Sequence, residues 1–384
     1  MAKMDIGKVL LFQRIAPHYR IPVFNRLKHE LDIHVCFSSE KKGALIASAT
    51  KVDTIPGERI WRTYFLNKET CVIQNVIKPL LRYRPKIVIS EFSIAYLSFW
   101  ALFFLKFIFR FKLLAWSHGI NNHEVHNPFK SWQSKVFLSI LPHIDGLILY
   151  SHLRKTLIEE KVGKNAKLFV AQNTIETDVL LKQQITLKAR GKKAIQSELN
   201  FTEQYHLIYI GRLVKDKRID LIVEVFIALL SKFDIALHII GSGPELKYIE
   251  QNLHLTGLYY HGAIYDDEIN GKYLFASDIV LNPGYVGLSI VHGFALGKPL
   301  VTCESTASGP NHSPEIEYLE SGVNGMTCEN SVDSLVNAVT LILKDNELLA
   351  KLSNGALETA IKKCSLENMI AGFRDAINTV SAER

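Results

Sequence analysis

A chain of 384 residues, 48% hydrophobic and 22% charged, is long enough for two domains with a core each and excludes a disordered or low-complexity protein. Its five cysteines are widely spaced with no Cys-x-x-Cys pair, which argues against a disulfide framework or a structural zinc site and for a reduced, cytoplasmic setting. The net charge of +7 is unevenly held: residues 1–175 carry 26 Lys+Arg against 12 Asp+Glu (+14), and residues 176–384 carry 19 against 26 (−7), so the first half is expected to face an anionic ligand or a membrane surface, and not nucleic acid, for which no module is visible.

Lys8 precedes only Val9–Phe12, too short an apolar run for a signal-peptide core. Lys8–Phe12 reads as a buried strand, Gln13–Tyr19 as a loop, Pro22–Glu30 as a helix and Asp32–Ser38 as the next strand, a βαβ unit opening a parallel sheet. The loop carries His18, Tyr19 and Arg20 to the carboxyl end of the first strand, where ligands bind in open α/β sheets. They are candidate acceptor-binding residues; the other reading is an exposed turn with one structural arginine. Further strands are expected at Ile87–Ser90, Lys112–Trp116, Gly146–Tyr150 and Lys167–Ala171. Between the first two lies Ser93–Phe111, SIAYLSFWALFFLKFIFRF, uncharged from Ser93 to Leu105 and shorter than the roughly 20 residues of a membrane span. It is either a helix packed on the sheet or one that attaches to a membrane surface through its aromatics. His118, in Trp116-Ser117-His118-Gly119, ends a strand where an imidazole can donate to a ligand oxygen or exchange a proton. Tyr150-Ser151 lies at the next strand end, and Asn173-Thr174 is the expected crossing to the second half.

Residues 176–204 are polar and lysine-rich and read as a helical linker. A new series starts with strand Leu207–Ile210 and the loop Gly211–Lys217. Arg212 and Lys217, five residues apart, can clamp a diphosphate, the arginine as a planar fork and the lysine as a point charge; the alternative is a solvated basic loop. Strand Ile235–Ile240 ends in Gly241-Ser242-Gly243-Pro244, with room for a nucleoside beside the glycines. Ile279–Leu281 leads into NPGYVGLSIVHGFALGKP, residues 282–299: strand, glycine loop, helix from Leu288 to Leu296, and a stop at Gly297 and Pro299. Backbone N–H groups at Gly287, Leu288 and Ser289 would face an anion there. Helical runs close the chain at Val332–Leu343, Glu347–Lys363 and Leu366–Val380. There is no Asp-x-Asp triplet, so neither a metal-bridged diphosphate nor any cofactor is expected.

GRLVKDK, HIIGSGPELKYIE, ASDIVLNPGYVGLSIVHGFALGKPLVT and PEIEYLESGVNG, in this order, resemble the nucleotide-sugar half of the family 4 retaining glycosyltransferases, glycosyl transferases group 1, over about Leu207–Asn330. The first half is similar to the acceptor half of that family more loosely, through APHYRIPVFNRL and WSHG. The resemblance implies the α/β GT-B fold, two Rossmann-like domains whose parallel sheets face a central cleft. Residues 1–175 would bind acceptor, residues 205–365 would bind donor, and residues 366–384 would pack back on the first domain. Arg212 and Lys217 would hold the donor diphosphate, Gly211, Gly241 and Gly243 would lie against the nucleoside, and Gly287, Leu288 and Ser289 would receive phosphate oxygens. His118 would approach the transferred sugar.

The sequence departs from the family where two glutamates eight positions apart are usual: here stand Gly284 and His292. A neutral His292 can still bond ribose hydroxyls, or it is a core histidine; Glu315 either supplies the missing carboxylate or serves as a helix-start charge. The implied activity is transfer of a sugar from a nucleoside diphosphate donor to a hydroxyl with retention of configuration, in surface-polysaccharide, lipopolysaccharide or lipid-linked glycan synthesis, by a peripheral protein at the inner face of the membrane. A nucleotide-sugar epimerase and a non-catalytic nucleotide-sugar binder are the other readings.

Overall fold

Apolar strands alternating with helices build two separate parallel sheets, seen in a computed structural model that describes residues 8–40, 57–65 and 71–382. The chain divides into Met1–Ile175 with Leu366–Arg384, and Glu176–Ser365. The first unit runs β1 (Val9–Ile15), α1 (Ile21–Leu31), β2 (Ile33–Ser38), β3 (Gly57–Arg59), β4 (Arg62–Tyr64), β5 (Val72–Gln74), α2 (Ile77–Tyr83), β6 (Ile87–Glu91), α3 (Leu97–Phe109), β7 (Lys112–Ser117), α4 (Trp132–Ile140), β8 (Gly146–Leu149), α5 (His152–Val162) and β9 (Leu168–Val170). Its seven-stranded sheet has the order β3-β2-β1-β6-β7-β8-β9, parallel throughout, with β4 and β5 a separate antiparallel pair. Val9, Leu10, Leu11 and Phe12 are all fully buried, because helices cover both faces of the sheet and every side chain of a central strand meets a core. The winding reverses between β1 and β6, which opens a crevice at their carboxyl ends.

The second unit runs α6 (Thr177–Arg190), α7 (Lys192–Glu198), β10 (Tyr205–Ile210), α8 (Ile219–Leu230), β11 (Ile235–Ile240), α9 (Leu246–Glu250), β12 (Leu258–Tyr260), α10 (Asp267–Ala276), β13 (Ile279–Leu281), α11 (Ser289–Ala295), β14 (Leu300–Cys303), β15 (Gly325–Cys328), α12 (Val332–Lys344) and α13 (Asn346–Lys362). Its parallel sheet has the order β12-β11-β10-β13-β14-β15, with the reversal between β10 and β13. The expected fold class, α/β with two Rossmann-like parallel sheets, is the one observed. Residues 176–204, read as a helical linker, form two helices that meet at Gly191 and pack into the second unit: Leu180, Leu187 and Ile195 are buried, Gln183 donates to the Glu268 carbonyl at 2.6 Å, and Lys192 pairs with Asp278.

The terminal helix α14 (Leu366–Ala382) belongs to the first unit. Its Met369, Ile370, Phe373, Ala376, Ile377 and Val380 are buried against Trp116, Ile148 and Ala171, and the Phe373 and Trp116 rings meet edge-on at 4.9 Å. Gly372 permits this approach, since a Cβ there would stand 2.0 Å from the Val170 carbonyl oxygen. The aromatic helix α3 combines its two expected readings. Phe99 and Leu102 are buried on the sheet, whereas Phe104, Phe107 and Ile108 are 65%, 66% and 74% exposed. No helix among the described residues is long and apolar enough to cross a membrane.

Candidate active site

In the second unit three loops converge beside the β10/β13 reversal. The first leaves β10 through Gly211 and enters a 3-10 turn, Lys215–Lys217. The second is Asn282–Leu288, between β13 and α11. The third follows β14 and ends in a 3-10 turn, Pro314–Tyr318. The Tyr285 N–H donates to the Asp216 carbonyl at 2.7 Å, and the Lys217 ammonium donates to the Tyr285 carbonyl and lies 4.5 Å from the Tyr285 ring centre. Lys217 is therefore almost wholly buried, with its charge aimed at one loop from another. Burial lowers its pKa to about 8; Arg212 also lowers it, while Asp216 and Glu315 act the other way. Arg212 is exposed and Glu315 is buried, so the basic pair and this carboxylate share one electrostatic neighbourhood.

Gly284 holds the first two loops together. A Cβ there would lie 2.4 Å from the Asp216 carbonyl oxygen and 2.4 Å from the Lys217 carbonyl carbon. The position where the family's first glutamate would stand has no room for any side chain. Gly241 and Gly243 have a similar packing reason: a Cβ would fall 1.8 Å from the Gly211 carbonyl oxygen and 2.2 Å from that of Leu213. The β10 and β11 loops touch there, joined by the Leu213 N–H to Ser242 at 2.8 Å and the Glu245 N–H to Leu213 at 2.9 Å. Gly211 itself lies under the Tyr209 side chain, whose hydroxyl donates to the Arg212 carbonyl at 2.8 Å. His292 is half-buried on α11; its Nδ1 lies 3.3 Å from the Leu288 carbonyl one turn earlier, and burial lowers its pKa although Asp267 raises it.

Sequence reasoning missed His312 and Ser313, which fix the third loop to the second. His312 accepts the Val286 N–H at Nδ1 (3.1 Å) and donates from Nε2 to the Cys303 carbonyl at 2.8 Å. The Ser313 N–H donates to the Val286 carbonyl at 3.0 Å. Burial and nearby Lys217 keep the imidazole neutral, the form that can accept one bond and donate the other. The Gly287, Leu288 and Ser289 amides, at the entry to α11, precede the helical ladder, and the buried Ser313 hydroxyl beside Gly287 has no partner among the described residues. His312→Ala is expected to destabilise the unit by about 1–3 kcal/mol for each of the two buried groups it orphans. Urea unfolding of the purified variant checks this, and an unchanged midpoint would remove His312 from its role as the fastener.

The first unit holds a cavity of about 730 Å³ at the carboxyl ends of β1, β6 and β7, lined among others by Arg14, Glu91, His118, Asn121, Trp132 and Tyr150. Arg14 and Glu91 face one another across the β1/β6 reversal: Nε donates to one carboxylate oxygen at 2.7 Å and the Arg14 N–H to the other at 3.2 Å. His118 opens onto this space. Surrounding protein and the guanidiniums of Arg154, Arg20 and Arg14 push its pKa far down, so the ring is neutral at pH 7. Arg154, 2% exposed, secures its loop by donating to the carbonyls of His118 (3.3 Å) and Ile120 (2.7 Å) and to the Asn122 side chain. Gly119 has φ +73°, and a Cβ would collide with Leu149 and Ile158, which explains the glycine after His118.

His18, Tyr19 and Arg20 form a 3-10 turn outside the cavity lining. His18 and Tyr19 are exposed. Arg20 is buried, its guanidinium 4.7 Å from the Trp116 ring centre and 3.4 Å from the Tyr150 hydroxyl. The structure thus places a supporting arginine behind a cavity residue and leaves its two neighbours at the surface. Glu91 had a readable signal, a lone carboxylate closing the apolar strand IVIS; Trp132, 62% exposed at the cavity, had none.

Residues 191–359 match the model of the family Glycosyl transferases group 1. That match and the relatives support kinship with group 1 glycosyltransferases of GT-B fold. N-acetyl-alpha-D-glucosaminyl L-malate synthase of Bacillus anthracis is 25% identical over 237 residues, 60% of this chain and 58% of the relative. The curated relatives that the chain matches are spanned over only 31–58% of their own length. Among solved structures, a glycosyltransferase from Rickettsia africae superposes with a TM-score of 0.71 at 16% identity, covering 98% of this chain and 99% of that one. The Anabaena HepE protein in complex with UDP does so at 0.70 and 15% identity, covering 97% and 100%.

Proposed function

We propose that this protein is a retaining glycosyltransferase that moves a sugar from a nucleoside diphosphate donor to an acceptor hydroxyl. What supports the reading is that the loop carrying Arg212 and Lys217 is bonded through Lys217 to the Tyr285 carbonyl, and the Tyr285 loop runs on into the Gly287–Ser289 entry to α11. Negative charge grows on the diphosphate as the glycosidic bond breaks. Fixed cations and N–H groups stabilise that charge more than they stabilise the intact donor, which lowers the barrier. In this reading protein cations take the place of a divalent ion, and no cofactor takes part. An oxocarbenium-like transition state follows, as in glycoside cleavage. Gly211, Gly241 and Gly243 would let the nucleoside rest on loop backbone. Glu315, beside Lys217, would orient the basic pair. His292 would reach the ribose, and His118, neutral in the first unit, would donate a hydrogen bond to the sugar.

The acceptor reading rests on the first unit alone. Residues 1–175 carry +14, the unit's cavity offers Arg14, Glu91 and His118, and α3 presents Phe104, Phe107 and Ile108 outward. A lipid-linked or surface-glycan acceptor, met at the cytoplasmic face of a membrane, matches that combination of charge and apolar surface, and His18 and Tyr19, exposed in the same unit, would contact it.

Purified protein incubated with labelled nucleotide sugars and an extracted lipid fraction is expected to label the lipid, with the donor's anomeric configuration kept in the product. An isomerised free donor would turn the reading to an epimerase, and donor binding without chemistry would turn it to a binder. In the same preparation, vesicles of anionic phospholipid should sediment the wild type and release a Phe104→Ser/Phe107→Ser double variant. Equal sedimentation of the two would remove α3 from membrane contact.

A further inference from the structure

We propose that His34, Cys36 and Glu58 form a binding site for a thiophilic divalent metal ion of the zinc class on the edge of the first sheet. The strand geometry assembles the three ligands. His34 and Cys36 are two residues apart on β2 and so project from the same face. Glu58 on β3 is the direct parallel partner of Cys36. The imidazole nitrogen, the sulfur and a carboxylate oxygen all lie within 4.8 Å of one another. A tetrahedral ion with bonds of about 2.0–2.3 Å holds its ligand atoms about 3.3–3.8 Å apart, a distance that side-chain rotation can close.

Two further observations single this cluster out. Nε2 of His34 is buried and has no hydrogen-bond partner among the described residues, which is costly for an imidazole that nothing else engages. The ring is also held in place: Tyr83 of α2 packs on it at 4.6 Å between centroids. Cys36 is fully buried beside it.

The donor set is one nitrogen, one sulfur and one oxygen, which suits zinc or cobalt and disfavours magnesium and calcium. Thiolate and carboxylate together balance the ion's double charge. Arg82 (3.3 Å from Glu58 Oε2), Lys8 over the Tyr83 ring and Lys28 surround the site. These cations reduce metal affinity. Arg82 engages one carboxylate oxygen and leaves the other for the ion. On binding, the Cys36 S–H bond breaks, its proton leaves to solvent, and a sulfur–metal bond forms; no electrons are transferred. Water completes the fourth position. The ion would tie β3 to β2 across an otherwise short pairing of three residues.

The test uses the full chain, stripped with EDTA and titrated with Co²⁺. The expected result is one equivalent bound with a thiolate-to-cobalt charge-transfer band, displaced by Zn²⁺ and not by Mg²⁺. Zn²⁺ should also raise the thermal midpoint. Cys36→Ser should abolish the band, whereas Cys71→Ser should keep it. If Cys36→Ser does not fold, His34→Gln and Glu58→Gln decide, each expected to weaken binding at least tenfold. Absence of the band in the wild type, or unchanged affinity in the folded His34 and Glu58 variants, overturns the site.

Discussion

Lys217→Ala is expected to lower kcat/KM for the sugar donor by about a hundredfold to a thousandfold with the fold intact, the cost of removing one charged donor from a developing anion. The wild type is expected to lose kcat/KM as pH rises through about 8, because burial sets the Lys217 ammonium there and, in the proposed reading, only its charged form grips the donor. Bound diphosphate raises that pKa, so the alkaline limb should move upward in kcat relative to kcat/KM. The fall is not unfolding. With a folded pKa of about 8 against an ordinary 10.5, the unfolded chain holds more protons across that window, so this group makes the protein more stable as pH rises, not less. Lys217→Arg stays charged throughout and should lose the limb; its rate stays low because a planar fork does not fit the slot against the Tyr285 carbonyl and ring. Initial rates from pH 6 to 10 on the three proteins check this. A flat wild-type profile would place the titrating cation elsewhere.

Much of the fold was legible because its signals are local. Ile235–Ile240 is a strand over the limits its apolar run suggests, and α12, α13 and α14 begin within a residue of their periodic patterns. Arg212 and Lys217 stand in the loop between β10 and α8, as their spacing in the sequence suggests, because a strand-to-helix loop is anchored at both ends by the sheet and the helix packed on it. The misses depend on contacts distant in sequence. Residues 176–204 read as helical, as they are, but the few apolar positions among their lysines did not show that Leu180, Leu187 and Ile195 are received by α10 and α11. Arg20 stayed open between a ligand residue and a structural arginine, because Trp116 and Tyr150, which enclose it, lie about a hundred residues further on. Cys36 seemed isolated because spacing rules look along the chain, whereas Glu58 reaches it across a parallel strand pair. His312 gave no signal, since a lone histidine in a polar loop announces neither of the backbone groups it joins.

Gly284→Glu, which writes the family's usual residue back, is expected to abolish transfer. The collision begins at the first side-chain atom, 2.4 Å from both the Asp216 carbonyl oxygen and the Lys217 carbonyl carbon, so Gly284→Ala should already cause most of the loss. Both contacts are backbone, which cannot swing aside as a side-chain tip can. The loops must separate, at a cost of about 1–3 kcal/mol for overpacking a close-packed site, or about 2–12 °C in the thermal midpoint of a unit this size. Separation also breaks the Tyr285 N–H bond to Asp216 and moves the carbonyl that receives Lys217, so the activity loss should far exceed the stability loss. Because glycine and lysine act through one junction, Gly284→Ala should cost little further activity in a Lys217→Ala background, a non-additivity that a double-mutant cycle measures directly. If Gly284→Glu equals the wild type in rate, the loops yield easily and the absent glutamate is merely a missing group. If the cycle is non-additive as expected, this chain has exchanged a carboxylate at the donor site for a closer approach of the loop that carries its lysine.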